Sequence, residues 1–147
     1  MKFSGSVPIK APRDRVWAFV IDPNQVGQCG PGVESLEVVD PTHFKATAKV
    51  GIGFIRARFV VNLDFAELNP PERALIKAHG QAPGTAVDAT AEMRLSNGPD
   101  AGTTVMDWNA DVLIAGSLAS VGARMIEGTA NKMIGEAFDC IRAKLEA

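Results

Sequence analysis

The segment 54–67 alternates with a period of two. Ile55, Ala57, Phe59, Val61, Leu63 and Phe65 fall on one side, and Arg56, Arg58, Asn62 and Asp64 on the other. Side chains alternate across a strand, so this is a strand with one dry face and one wet face. Extended, it reaches about 45 Å, well beyond an ordinary strand. Its apolar face can be buried only against something of similar length. From Ser117 to Glu146 the period becomes helical, with Ile126, Ala130, Met133, Ile134, Ala137 and Ile141 on one face. Arg124, Asn131, Lys132, Asp139 and Arg142 fall on the other. A helix of that span is also about 45 Å long.

The remaining segments complete a sheet. Residues 2–9 form a first strand. Ala11-Pro12-Arg13-Asp14 opens a helix whose apolar side is Val16, Trp17, Phe19 and Val20, and Asp22 caps a second short helix running through Gln28. Strands follow at 33–39, 43–50, 54–67, 73–81, 86–96 and 103–114. They are separated by Asp40-Pro41, Gly51-Ile52-Gly53, Asn69-Pro70-Pro71, Pro83-Gly84 and the run from Asn97 to Gly102. Short turns between successive strands predict an antiparallel meander. The layout is α+β in a single domain, residues 1–147. A curved antiparallel sheet of about seven strands wraps around the long C-terminal helix, with two short helices after strand 1.

The inward registers are rich in small residues. Ala46, Ala48, Ala57, Ala74, Ala78, Gly80, Ala89, Ala91 and Ala110 interleave with larger ones, and the start of the helix offers Ala119, Gly122 and Ala123. Interiors close-pack at a density of about 0.74, so small residues on facing surfaces either draw the backbones together or leave a cavity. Close approach is difficult along two elements this long. A cavity is therefore the expectation, with a tightly packed Ala-rich core as the alternative. No charged residue or histidine lies on these registers, so a ligand held there is largely hydrophobic. The residues expected to touch it are Phe59, Val61, Ala89, Met93, Met106, Trp108, Gly122, Ile126 and Met133.

Elsewhere the sequence offers little chemistry. His43 and His79 have no cysteine or carboxylate at ligand spacing, and no nucleophile motif or phosphate loop occurs, so no metal site and no catalytic residue is expected. A net charge of −2 over 147 residues leaves no excess of cations for nucleic acid. No apolar run follows Lys2 to make a signal peptide, and no stretch reaches the roughly 20 apolar residues of a membrane span. Cys29 and Cys140 are too few for a disulfide framework and suit a reducing cytoplasm. Cys29 opens the turn Cys29-Gly30-Pro31-Gly32, one residue away from a dithiol motif. It follows the C-terminal end of a short helix and has no nearby cation, so it reads as a small apolar residue rather than a reactive thiol. Glu34 either bonds the N–H groups of that turn or is simply exposed. Gly128 and Gly135 sit on the polar face of the long helix, where they would let it bend as a ligand enters.

The run PRDRVWAFVIDPNQVGQCGPGVESLE resembles the opening signature of the family of the carbon monoxide dehydrogenase G-subunit, within the START-like (helix-grip, SRPBCC) superfamily. That signature has a helix with Val16-Trp17, then Asp22-Pro23, then Cys29, Pro31, Gly32, Glu34 and Leu36 in the pattern Cys-x-Pro-Gly-x-Glu-x-Leu. The likeness continues through FKATAKVGIGFIRARF, VDATAEMRLSN and GTTVMDWNADVLIAGSLASVGARMIEGTANKMI. It implies a helix-grip fold with an apolar cavity between sheet and helix, and places Cys29, Gly30, Pro31 and Gly32 beside the cavity entrance. It further implies a non-catalytic accessory protein with no cofactor of its own, binding a hydrophobic small molecule such as a quinone or lipid. Its partner would be a molybdenum-containing hydroxylase of the carbon monoxide dehydrogenase type, in the cytoplasm or, through peripheral contact, at the inner face of the cytoplasmic membrane. Family members often carry an apolar residue where this chain has Gly30, and membrane-binding members extend beyond the point corresponding to Ala147. The superfamily also hosts cyclases and hydrolases, so an enzyme is one alternative. A ligand-free assembly scaffold is another.

Overall fold

In the computed structural model, which describes residues 1–147, every alternating segment is a strand. These are β1 (Lys2–Ile9), β2 (Val33–Asp40), β3 (His43–Ile52), β4 (Ile55–Asn69), β5 (Arg73–Ala82), β6 (Thr85–Asn97) and β7 (Thr104–Gly116). They form one seven-stranded antiparallel sheet in the order β1-β7-β6-β5-β4-β3-β2. Strands β2 to β7 are a meander, because each turn is too short for anything but a hairpin. β1 closes the far edge, placing Phe3 opposite Ala110 and Val7 opposite Met106.

Helices α1 (Arg13–Val20) and α2 (Pro23–Val26) follow β1, and a 3-10 turn at Gly27–Cys29 leads into β2. Asp22 caps α2 as its sequence predicts, accepting the Asn24 N–H at 3.0 Å. The long helix, α3 (Ala123–Leu145), starts later than its apolar period suggested. Residues Ser117–Val121 form a separate 3-10 segment, and Gly122 at φ 103° takes the backbone out of the helical region. That conformation favours glycine and breaks the run. Gly116 flanks the segment on the other side at φ 90°, where a Cβ would collide with the Gly84 carbonyl.

The core is divided. A cluster of 12 buried residues joins Ile9, Val16, Trp17 and Phe19 to Leu95, Met106, Ile141 and Leu145 at the C-terminal end of α3. At the opposite end only 4 buried residues, Ile52, Phe59, Leu118 and Ile126, form the second cluster. Between Ile126 and Ile141 no side chain of α3 is fully buried. The helix is anchored at its ends and stands off the sheet between them.

The cysteines correct the expectation of two free thiols. Cys29 and Cys140 are joined in a disulfide, with Cα atoms 5.4 Å apart and a sequence separation of 111. The fold brings the 3-10 turn after α2 against the second half of α3. The two cysteines therefore no longer speak for a reducing compartment. Cys29 is buried, but in the large cluster rather than as a lone apolar residue.

Candidate ligand cavity

Where α3 stands off the sheet, the concave face and the helix enclose an apolar trough with two chambers placed end to end. The first, about 280 Å³, lies beneath the first half of α3 and is walled by Ala48, Val50, Phe59 and Val61 of β3 and β4. Ala78, Gly80, Val87, Ala89, Val112 and Ile114 continue the wall across β5, β6 and β7, and Ile126, Thr129, Ala130 and Met133 face it from α3. The second, about 340 Å³, lies beneath the second half and takes the next inward position on each strand: Ile76, Ala91 and Ala110. Met93, Met106, Trp108 and Phe65 extend its floor, with Ile134, Ala137, Phe138 and Ile141 above and Val20, Ile21 and Val26 at its side.

The physical cause is the row of small residues. Ala78 pairs with Ala89, and Ala91 with Ala110, so the middle of the sheet has almost no side-chain height. Large residues stand at the two ends of the row, Phe59 and Ile52 at one and Met93, Met106 and Trp108 at the other. The helix rests on these, and the gap between them stays open. From Val87 to Met93 the floor runs about 20 Å at roughly 3.3 Å per residue. A further apolar groove of about 210 Å³ shares Val20, Val26, Phe65 and Ile76 with the second chamber and continues under α2 towards Leu36, Phe44 and Leu63.

Sixteen of the 18 residues lining the first chamber are hydrophobic, and 15 of 17 in the second. Such walls select a ligand by shape and apolar area rather than by charge. Thr129 supplies a hydroxyl to the first chamber. The second is flanked by Asn109 and Glu92, both on outward registers. Glu92 is held at the outer face by Arg94 Nε at 2.7 Å and Arg73 Nη2 at 2.8 Å. These two cations, Arg94 foremost, keep its carboxyl below the usual range. Trp108 lies over Gly5 of β1, its ring centroid 5.7 Å from that of Phe138, and its buried Nε1 has no hydrogen-bond partner in the protein.

Of the residues expected to touch a ligand, Phe59, Val61, Ala89, Ile126 and Met133 line the first chamber, and Met93, Met106 and Trp108 the second. Gly122 lines neither. It is exposed at the start of α3, with Ala119 and Ala123 also outside the wall, because the 3-10 segment turns this stretch away from the sheet. Cys29, Gly30, Pro31 and Gly32 line neither chamber. A Cβ on Gly32 would collide with the Lys49 carbonyl, which holds the turn against the edge of β3 next to the wall residues Ala48 and Val50. Glu34 makes a different contact from those considered, accepting from Arg58 Nε at 2.7 Å.

Sequence reasoning passed over Phe3, Leu118, Thr129 and Phe138. Thr129 and Phe138 were legible as the i+3 and i+4 neighbours of Ile126 and Ile134 on the same helix face. The histidines stay outside the trough: His43 contacts Asp40 and Asp64, and His79 contacts Asp88 at 2.5 Å. A polar depression of about 360 Å³ between α1 and the end of α3, lined by Arg15, Gln25, Gln28 and Lys144, shares no lining residue with either chamber. No three His, Cys, Asp or Glu side chains stand together as metal ligands, and no helix is long and apolar enough to cross a membrane.

A curved seven-stranded antiparallel sheet closed over a long C-terminal helix, with an apolar trough between them, is the START-like helix-grip fold. The chain belongs to the CoxG family, that of the carbon monoxide dehydrogenase G-subunit, whose model matches residues 5–146. Solved structures agree on the fold. A conserved protein from Geobacillus kaustophilus superposes with a TM-score of 0.92 at 23% identity, covering 99% of this chain and 95% of its own. A START superfamily protein from Mycobacterium smegmatis gives a TM-score of 0.73 at 12% identity, covering 99% and 97%. The Zhui aromatase/cyclase from Streptomyces sp. R1128 gives 0.72 at 16%, covering 99% and 93%. No curated protein matches the chain in sequence.

Proposed function

We propose that this protein binds a hydrophobic small molecule in the trough without transforming it, and serves as an accessory protein to a molybdenum-containing hydroxylase of the carbon monoxide dehydrogenase type. The observation that carries the binding role is the pair of apolar chambers beneath a helix fixed only at its ends. The ligand classes that fit are a quinone or a lipid, elongated enough to use a floor of about 20 Å. Family membership is what supports the hydroxylase partner and a place at the inner face of the cytoplasmic membrane. Phe59, Val61, Ala89, Ile126 and Met133 would hold one end of the ligand, and Met93, Met106 and Trp108 the other. The methionines adapt to its shape.

Displacement of a fluorescent lipid probe by menaquinone tests this reading. Ala89→Phe and Ala130→Phe fill the first chamber and should weaken probe binding by roughly tenfold or more, the equivalent of a modest overpacking penalty. Their melting temperatures report whether the fold survives. A parent protein that takes up neither probe nor quinone would sink the carrier reading. A ligand-free scaffold predicts instead that both variants associate with the partner enzyme as the parent does, with no probe bound by any of them. A cyclase or hydrolase needs an acid–base pair inside the trough, and nothing in the lining favours that second reading.

A further inference from the structure

The most exposed large apolar side chain of the molecule, Phe54 at 86% exposure, sits on the β3–β4 turn. Its neighbours make it part of a patch. A Cβ on Gly53 would meet Met125 Sδ and lie 3.6 Å from Val121 Cγ1, so the turn packs against the 3-10 segment and the first turn of α3. Met125 is itself 48% exposed. Directly inside this cap lie Ile52, Leu118 and Ile126, which close the end of the first chamber.

Charge distinguishes this patch from the other exposed apolar residues. Lys49 and Arg56 flank the turn on β3 and β4 and Arg124 precedes Met125, all exposed and none in an ion pair. The nearest carboxylate on the sheet, Glu34, is engaged by Arg58. With Glu127 of α3 as the unpaired carboxylate beside Met125, this end still carries more positive than negative charge on a chain of net charge −2. By contrast, Leu113 pairs across the sheet with Asp88, and Val38 and Val39 lie between Glu37 and Asp40.

We propose that this tip docks on an anionic lipid surface, with Phe54 and Met125 entering the headgroup region and Lys49, Arg56 and Arg124 on the lipid phosphates, so that the end of the first chamber faces the bilayer. A protruding aromatic flanked by unpaired cations is the chemistry an anionic interface selects. It also turns towards the bilayer the 3-10 segment Ser117–Val121, which helps to close the end of the first chamber through the buried Leu118. What passes through rests on the carrier reading above; the docking itself does not.

Co-sedimentation with vesicles of phosphatidylglycerol and phosphatidylcholine, against phosphatidylcholine alone, tests it. The parent should prefer the anionic vesicles, and added salt should weaken the binding. Phe54→Asp and the pair Arg56→Glu with Arg124→Glu should each lose roughly tenfold or more in vesicle affinity, whereas Leu113→Ser should match the parent. Probe uptake by Phe54→Asp in vesicle-free solution should equal the parent's, which separates the tip from the cavity. Tip-dependent vesicle binding by a protein that takes up no probe would overturn the carrier reading and leave the docking standing. Equal binding to neutral vesicles, unchanged binding by the Phe54 and arginine variants, or self-association through Phe54 in place of vesicle binding would overturn the docking.

Discussion

The two ends of α3 are held in different ways. At the C-terminal end, Ile141 and Leu145 enter a cluster of 12 buried residues, Cys140 is bonded to Cys29, and Glu146 accepts the Lys10 N–H at 2.9 Å. At the N-terminal end, Gly122 provides no side-chain cap, and of the first turn only Ile126 is buried, in a cluster of 4. The difference teaches where the molecule can give. Local opening follows the region with fewest buried apolar contacts, so the first chamber opens before the second. Under the carrier reading proposed above, the ligand would exchange at this end while the other keeps the fold intact.

Removing the disulfide attacks the strong end and should have the largest effect. With a sequence separation of 111 between the cysteines, chain-entropy arguments give a stabilisation of about 4–5 kcal/mol. Cys140→Ser, or reduction by dithiothreitol, should lower the denaturant midpoint accordingly, where a pair of free thiols would have made Cys29→Ala nearly silent. If the midpoint does not move, packing alone anchors this end and the bond is incidental.

The two helix glycines sharpen the comparison from the other side. Gly128 and Gly135 are exposed, and a Cβ on either meets nothing within 4 Å. Each change to alanine should therefore stabilise the protein by about 1 kcal/mol. The kinetic outcomes should differ. Gly128 lies in the half of α3 that opens, so Gly128→Ala should slow probe release and raise amide-exchange protection around Ile126. Gly135→Ala, in the anchored half, should leave release nearly unchanged. Equal slowing by both would mean that the helix moves as one body.

Most of the fold could be read from the sequence, because period-two alternation and turn residues are local signals. Phe59, Ala89 and Met106 alternate inward, and their strands form within two or three residues of the expected limits. The inward rows also told where side-chain height is missing, hence the trough. Three features escaped for physical reasons. The bond between Cys29 and Cys140 depends on how α3 crosses the 3-10 turn, which no local pattern encodes. The break at Gly122 depends on a backbone angle, and glycine within an apolar helical period does not reveal its φ. The partner of Glu34 is Arg58, 24 residues away on a strand not paired with β2. The proposed docking tip shows the same limit: alternation makes Phe54 the first residue of a strand, but it lies on the β3–β4 turn, and no local pattern encodes the packing of its neighbour Gly53 against Met125.

The smallest expected effect concerns charge at the rim of the strongly held end. Asp40, in the β2–β3 turn, accepts the backbone N–H of Thr42 and bonds His43, which pull its carboxyl from 3.8 down to about 2. His43 is raised above its ordinary 6.5, chiefly by the bond to Asp40, with the charges of Asp40 and Asp64 adding to it. The Asp40 contribution is present above its ordinary value and fades as pH falls towards about 2. The His43 contribution is complete below 6.5 and fades as pH rises through its raised value. All three groups are substantially exposed, at 54% for His43, 48% for Asp40 and 41% for Asp64, so water screens their interaction. Asp40→Asn should move the NMR titration midpoint of His43 back towards 6.5 while leaving probe affinity unchanged. Between mildly acidic and mildly alkaline pH, the parent should lose less stability than either glycine substitution adds. A larger loss would show that this end of the molecule is held by charge as much as by packing, and the contrast between the two ends of α3 would need redrawing.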